Sequence, residues 1–145
     1  MNEKRFDRLR QYNCLFSEID SAYHEIAVRM GISDSTATIL YALSCSGSRC
    51  PLNEICRNTG LSKQTANSAI RKLEAEGMLR LEAIDGRAKM AVLTEAGCAL
   101  ARRTVIPVME MEDRIYSSWT EAEREQYLHL NERFLEALKE QIPTM

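Results

Sequence analysis

Residues 51–94 read PLNEICRNTGLSKQTANSAIRKLEAEGMLRLEAIDGRAKMAVLT, and the order of patterns within this stretch decides the fold. It opens with a short helix from Leu52 to Asn58, whose Leu52, Ile55 and Cys56 recur at i, i+3 and i+4 as a narrow apolar stripe. Thr59-Gly60-Leu61 closes that helix. Gly60 can take the left-handed conformation that ends a helix, and Leu61 is placed to plug the corner between two helices meeting at a steep angle. Ser62 follows as the N-cap candidate of the next helix.

From Lys63 to Glu76 the residues separate into two faces at helical spacing. Ala66, Ala69, Ile70 and Leu73 form one face; Gln64, Asn67, Ser68 and Arg71 form the other. The first is suited to packing. The second carries the chemistry for reading base edges, because Gln and Asn pair bidentately with adenine while Lys and Arg take guanine or phosphate. Lys63, Gln64, Thr65, Asn67 and Ser68 supply it near the helix start, where a recognition helix enters the major groove. Taken alone, the same face also suits an ordinary solvated helix.

The flanking elements add weight to the first reading. Gly77 resembles a helix C-cap, residues 79 to 82 alternate apolar and polar, and Ala88 to Leu93 is a second candidate strand. Between the strands, Asp85-Gly86 is a strong hairpin signal, with both positions tolerant of positive φ, followed by Arg87 and Lys89. Such a basic hairpin can lay Arg87 into a minor groove or against phosphate, with Asp85 able to orient the guanidinium through a charge-assisted pair. An exposed hairpin without a ligand is the alternative. Helix, Gly turn, amphipathic helix and basic hairpin in this order are the ground plan of a winged helix-turn-helix.

These residues resemble the MarR (multiple antibiotic resistance regulator) family of winged-helix transcription factors. The resemblance rests on Leu61-Ser62-Lys63-Gln64-Thr65, Asn67, Ile70, Lys72-Leu73-Glu74, Gly77, Asp85-Gly86-Arg87, and Leu93-Thr94 with Gly97. The Asp-x-Arg of the wing, followed by Leu-Thr and a Gly, is its more specific part. It implies that Ser62, Lys63, Gln64, Thr65, Asn67, Ser68, Arg71 and Lys72 fall in a DNA-recognition helix, and Asp85, Arg87 and Lys89 in the wing. It further implies a homodimeric regulator of transcription, commonly a repressor, that binds a palindromic operator in double-stranded DNA and is released by a small effector.

The 145 residues suffice for one domain, and the apolar and charged fractions are those of a globular protein. A net charge of −2 runs against DNA binding, but the distribution does not. Residues 49–89 hold eight basic against five acidic side chains, whereas residues 120–145 hold three basic against six acidic. Positive charge therefore gathers around the candidate reading head. No apolar run is long enough to span a membrane, and Met1-Asn2-Glu3-Lys4-Arg5 lacks the apolar core of a signal peptide, so the expected location is cytoplasmic.

The expected architecture is mostly α with a small β-hairpin wing, in one domain. A first helix is predicted from about Lys4 to Met30, with Phe6, Leu9, Leu15, Phe16, Ile19, Tyr23, Ile26, Ala27 and Met30 as a broad apolar stripe. A second starts near Ser33 or Asp34 and carries Ile39, Leu40 and Leu43. Residues 46–51 read as a loop, with Pro51 in the first turn of the next helix. Beyond Thr94 a helix begins at Glu95, with Pro107 kinking it or ending it one residue earlier. Thr120-Glu121-Ala122-Glu123 is a capping box that starts a last helix, setting Tyr127, Leu128, Phe134, Leu135, Leu138 and Ile142 for packing. Two apolar-striped helices at opposite chain ends need a partner surface. In the resembled family the helices of about 4–32 and 95–142 interlock across a two-fold axis, and about 33–94 form the DNA-binding region, with recognition helices about 34 Å apart.

Catalysis finds no support. His24 and His129 are the only histidines, neither has a neighbour at metal-ligand spacing, and no phosphate loop, nucleophile elbow or HExxH pattern occurs. No cofactor is expected. A winged-helix module that binds only protein is the remaining alternative.

For what such a regulator senses, two readings stand open. Cys14, Cys45, Cys50, Cys56 and Cys98 are five thiols without a zinc spacing. Cys14 lies where the hydroperoxide-sensing branch of the resembled family carries its reactive cysteine, which makes it the redox candidate; a small apolar residue at a helix interface is the other account. The family also binds aromatic or phenolic acids between the dimer helices and the reading head, where Tyr23, Tyr41, Met30, Arg29 and His24 would supply an apolar wall and a cation.

Overall fold

In the computed structural model, which describes residues 3–145, seven α-helices and three short strands follow one another along the chain. Met1 and Asn2 of the charged N-terminal run lie outside the described residues. The chain divides into two compact units, one ending at Pro107 and the other running from Val108 to Met145.

The first unit begins with α1 (Glu3–Met30), which buries only Ala27; Phe6, Leu9, Leu15, Phe16, Ile19 and Tyr23 are 40–52% exposed. Helix α2 (Asp34–Cys45) is started by Ser33, whose hydroxyl accepts from Thr36 N. It supplies the centre of the core, with Ile39, Leu40 and Leu43 fully buried. Around them pack Ile55 of α3 (Leu52–Thr59), Ala66, Ile70 and Leu73 of α4 (Lys63–Ala75), Leu79 of β2 (Leu79–Asp85), Ala91 and Leu93 of β3 (Ala88–Leu93), and Leu100 and Ala101 of α5 (Glu95–Arg103). Burying such side chains contributes roughly 1.5–3 kcal/mol each.

The expected β-hairpin is part of a larger sheet. Arg49–Pro51, read as loop from the sequence, forms β1 and pairs antiparallel with β3, giving the strand order β1-β3-β2. Pro51 consequently sits one residue before the first turn of α3, as its N-cap, in extended conformation with φ −59° and ψ 140°. A proline at a strand end and before a helix loses no backbone hydrogen bond in either.

The break near the start of the C-terminal half also falls elsewhere than expected. Helix α5 ends at Thr104 (φ −122°, ψ −86°), and α6 (Val105–Ser117) starts before Pro107. Pro107 is thus the third residue of a new helix, where its missing N–H has no intrahelical partner to lose. The buried Thr104 hydroxyl donates to Leu100 O at 2.7 Å.

The second unit contains most of α6 and all of α7 (Glu121–Gln141). The capping box is present in full: Glu123 N donates to Thr120 Oγ1, and Thr120 N to Glu123 Oε2 at 2.8 Å. Arg124 donates to Trp119 O at 2.7 Å and lies over the Tyr116 ring, while Trp119 meets Tyr127 edge-on with centroids 5.3 Å apart. The turn between the two helices is thereby held by an aromatic corner. Tyr127, Leu128, Phe134, Leu135, Leu138 and Ile142, expected to pack, are 48–60% exposed in the single chain.

Candidate nucleic-acid interface

Helix α4 is aimed by the turn before it. Gly60 takes φ +66° and ends α3, Thr59 Oγ1 accepts from Leu61 N, and Leu61 packs against the core from the corner. Ser62 then caps α4, accepting from Thr65 N at 3.1 Å and donating to Thr65 Oγ1 at 2.8 Å. Both hydroxyls are thus already engaged in holding the helix start. Ser62 and Thr65, expected as base- or phosphate-contacting groups, act first as the cap that orients their neighbours.

The remaining residues of the set that lie on α4 are exposed, save one. Ala66, Ala69, Ile70 and Leu73 are buried, and Lys63, Gln64, Ser68, Arg71 and Lys72 are exposed, with Asn67 half-buried at the margin. At about 100° per residue, Gln64, Ser68 and Arg71 stand opposite the buried stripe, and Asn67 and Lys72 flank them. None of these polar side chains makes a hydrogen bond or ion pair among the described residues, so each is available to a ligand. The face carries three cations and no carboxylate until Glu74.

The far end of α4 joins the wing. Gly77, at φ +72°, follows the last turn; its N–H donates to Glu74 O, and Met78 N donates to Leu73 O at 2.8 Å, closing the helix. Thr94, just after β3, ties this corner to the next helix. Its hydroxyl donates to Gly77 O at 2.6 Å and accepts from Gly97 N, while its own N–H donates to Met78 O. Gly97 is required there, because a Cβ would stand 1.8 Å from Met78 O. The Leu-Thr and Gly singled out from the sequence therefore form the joint between recognition helix, wing and α5.

The hairpin turn is displaced by one residue from the expected one. Asp85 still pairs with Ala88, so Gly86 and Arg87 form the turn, and only Gly86 has positive φ, at +51°. A register shift between Ala83 and Asp85 leaves Ile84 as an extra residue in β2, which moves the turn. Arg87 is thus at the tip itself, exposed, with Lys89 exposed behind it. The expected Asp85–Arg87 ion pair is not formed: neither side chain has a charged partner among the described residues.

Sequence reasoning missed a second charged cluster. On the outer face of the sheet, Glu82 accepts from Arg80 Nη2 at 2.9 Å through one oxygen and from Arg49 Nη2 at 3.1 Å through the other. Arg80-x-Glu82 is legible as a same-face pair on a strand; Arg49 is not, because residues 46–51 carry loop signals.

Of the sensing candidates, Cys14 is exposed on α1, as is Cys45 at the end of α2. Cys50 is buried, and that burial pushes its thiol up from the usual range, against the pull of a hydrogen bond with Ser46. Three of the residues named for an effector wall have neighbours here. Arg29 is engaged by Glu25 at 2.6 Å, His24 by Asp34 at 2.8 Å, and Tyr41 packs against the core. Among the described residues no group of His, Cys, Asp and Glu could hold a metal ion, and no helix is long and apolar enough to cross a membrane.

Comparison with known proteins agrees with this geometry. Residues 30–88, from the end of α1 through the wing turn, match the family model of the MarR family. No curated protein matches the sequence. Among solved structures, AbsC of Streptomyces coelicolor, a MarR family transcriptional regulator, superposes with a TM-score of 0.79 at 20% identity, over 97% of this chain and 98% of that one. Sco3205 of the same organism, a MarR family regulator solved in complex with DNA, gives 0.78 at 19% identity over 95% and 89%. Bordetella bronchiseptica BpsR, whose DNA binding is regulated by 6-hydroxynicotinic acid, gives 0.64 at 21% identity over 86% and 98%. With the helix-turn-helix and the wing in one piece, the chain has a winged-helix fold shared with solved MarR family regulators, and its residues 30–88 match the MarR family model.

Proposed function

We propose that this protein is a cytoplasmic, sequence-specific regulator of transcription that binds a palindromic operator as a homodimer and represses until an effector releases it. The observation that carries the proposal is the exposed, unpaired face of Gln64, Ser68, Arg71 and Lys72 on α4, with Arg87 at the tip of the adjoining wing. Helix α4 would place Lys63, Gln64 and Asn67 against base edges in the major groove, with Arg71 and Lys72 on phosphate. Arg87 and Lys89 would follow the backbone into the neighbouring minor groove. Exposed apolar faces on α1 and α7 support a second copy as the partner of each. The DNA complex of Sco3205 and the ligand control of BpsR support the DNA and effector parts by analogy.

The test is fluorescence anisotropy with duplex from upstream of the gene against a scrambled duplex, across a salt series. Selective binding that weakens with salt is expected; equal binding of both at every salt would reject the assignment.

Oxidation of Cys14 is a second reading of the release step, favoured by the exposure of that thiol on α1. Under it, mild hydroperoxide dissociates the wild-type complex and thiol restores it, whereas Cys14→Ser stays bound. Release of the variant by peroxide would exclude Cys14 as the switch. A small aromatic or phenolic acid is the effector if oxidant has no effect.

A further inference from the structure

We infer that Glu82 is a positioning residue for the wing: its carboxylate ties the two outer strands of the sheet together across β3 and so sets the direction in which Arg87 is presented. The inference rests on the DNA-binding reading above. In the pairing register Arg49 of β1 and Arg80 of β2 are both opposite Val92 of β3, one on each side. Glu82, two residues along β2 and therefore on the same face, engages both guanidiniums, one per carboxylate oxygen. Arg80 donates through Nε as well as Nη2, at 3.1 and 2.9 Å. Strands β1 and β2 share no backbone hydrogen bonds, because β3 lies between them. This side-chain bridge is thus a direct link from β1 to β2 on that face, spanning two strand spacings, or roughly 10 Å.

Its position along β2 gives it leverage. Glu82 is the last outer-face residue before the register shift that begins after Ala83, and everything beyond the shift is the wing tip. A bulge bends and twists the strand that carries it, so the tip's direction depends on how firmly β2 is held at the root of the bend. Val92, between the two arginines, is only 7% exposed although it lies on the outer face, consistent with arginine stems laid along the sheet while their heads meet Glu82. The cluster keeps one net positive charge, so a simple electrostatic role for it makes the opposite prediction to a positioning role.

That opposition is the test. Glu82→Ala and Arg49→Ala both cut the link, but they change the charge in opposite directions. With operator and scrambled duplex in a salt series, both variants are expected to lose about threefold or more in operator affinity, and both to flatten the salt dependence as Arg87→Ala does. Either change added to Arg87→Ala is expected to cost little more than Arg87→Ala alone, since the misdirected group is already gone. Thermal unfolding of each variant verifies that the fold is retained, and Arg49→Ala serves if Glu82→Ala does not fold. Tighter binding by Glu82→Ala with weaker binding by Arg49→Ala would overturn the inference in favour of a charge effect. Unchanged affinity in both would overturn it outright. If Arg87→Ala itself leaves affinity unchanged, the wing has no part in DNA binding and the DNA-binding reading of the hairpin fails, independently of Glu82.

Discussion

Replacing Gly97 by Ala puts the joint between wing and recognition helix under direct strain. A Cβ there would lie 1.8 Å from Met78 O, 2.9 Å from Met78 C and 3.2 Å from Leu93 Cδ2. The first contact is with backbone, so no rotamer change relieves it; α5 and the Met78 carbonyl must separate by more than about 1 Å. Met78 O also accepts from Thr94 N at 3.0 Å, and Thr94 holds both Gly77 O and Gly97 N through its hydroxyl. Overpacking of this kind costs about 1–3 kcal/mol, and loss of one backbone hydrogen bond adds about 1 kcal/mol. Against this, Gly→Ala within a helix returns at most about 1 kcal/mol. The net expectation is a loss of about 1–4 kcal/mol, or a fall in Tm of roughly 3–13 °C for a chain of this size. Urea and thermal unfolding followed by circular dichroism, at one fixed protein concentration, measure it. Gly77→Ala is the control: Gly77 has φ +72° but open space around it, so only the backbone cost of about 1 kcal/mol applies. A Gly97→Ala variant as stable as the parent, or less affected than Gly77→Ala, would refute the argument from close approach.

The other expectations concern the cap, the thiols and the exposed apolar faces. Ser62→Ala removes the acceptor for Thr65 N and should cost about 1 kcal/mol in urea unfolding; Ser62→Asp, which keeps an acceptor, should recover most of it. Cys50, buried with its thiol pushed up, should react with an alkylating reagent far more slowly than the exposed Cys14 and Cys45, as read by peptide mass spectrometry. The folded state keeps the Cys50 proton where the unfolded chain has lost it. Its contribution to stability is therefore full below the ordinary thiol pKa of about 8.5 and declines as pH rises above it; Cys50→Ala should remove that part of the alkaline loss. If the proposed homodimer forms through α7, Leu135→Glu, which places a charge on its exposed apolar face, should shift the protein to monomer in sedimentation, while Leu135→Met should not.

Local signals carried much of the architecture. Ser33, Ser62, Thr94 and Thr120 all act as N-caps, because a hydroxyl at a helix start acts within three residues of itself. Gly60 and Gly77 end their helices for an equally local reason. The two faces of α4 follow from its period, and β3 runs from Ala88 to Leu93, the stretch expected as the second strand of the hairpin. The features missed depend on distant partners. Strand β1 is three residues with a proline, and it is a strand only because Met90 to Val92 lie beside it, some forty positions on. The turn at Gly86-Arg87 is set by a register shift two residues earlier, which Asp-Gly propensity does not encode. Helix α5 breaks at Thr104, whereas the proline three residues later fits the first turn of the next helix.

The same division holds in the candidate site. Lys63, Gln64, Ser68, Arg71, Lys72 and Arg87 are exposed where their spacing put them. Periodicity does not say which hydroxyls are already committed, and Ser62 and Thr65 are committed to each other. Nor does it reveal Glu82 as a bridge, since its second arginine comes from across the sheet.

Footprinting of the protein on its upstream DNA tests the central claim most directly. The account predicts two symmetric zones of major-groove protection about one helical turn apart, each flanked by a minor-groove protection that disappears in Arg87→Ala. Protection that is absent, confined to one unsymmetric patch, or unaltered by Arg87→Ala would contradict it.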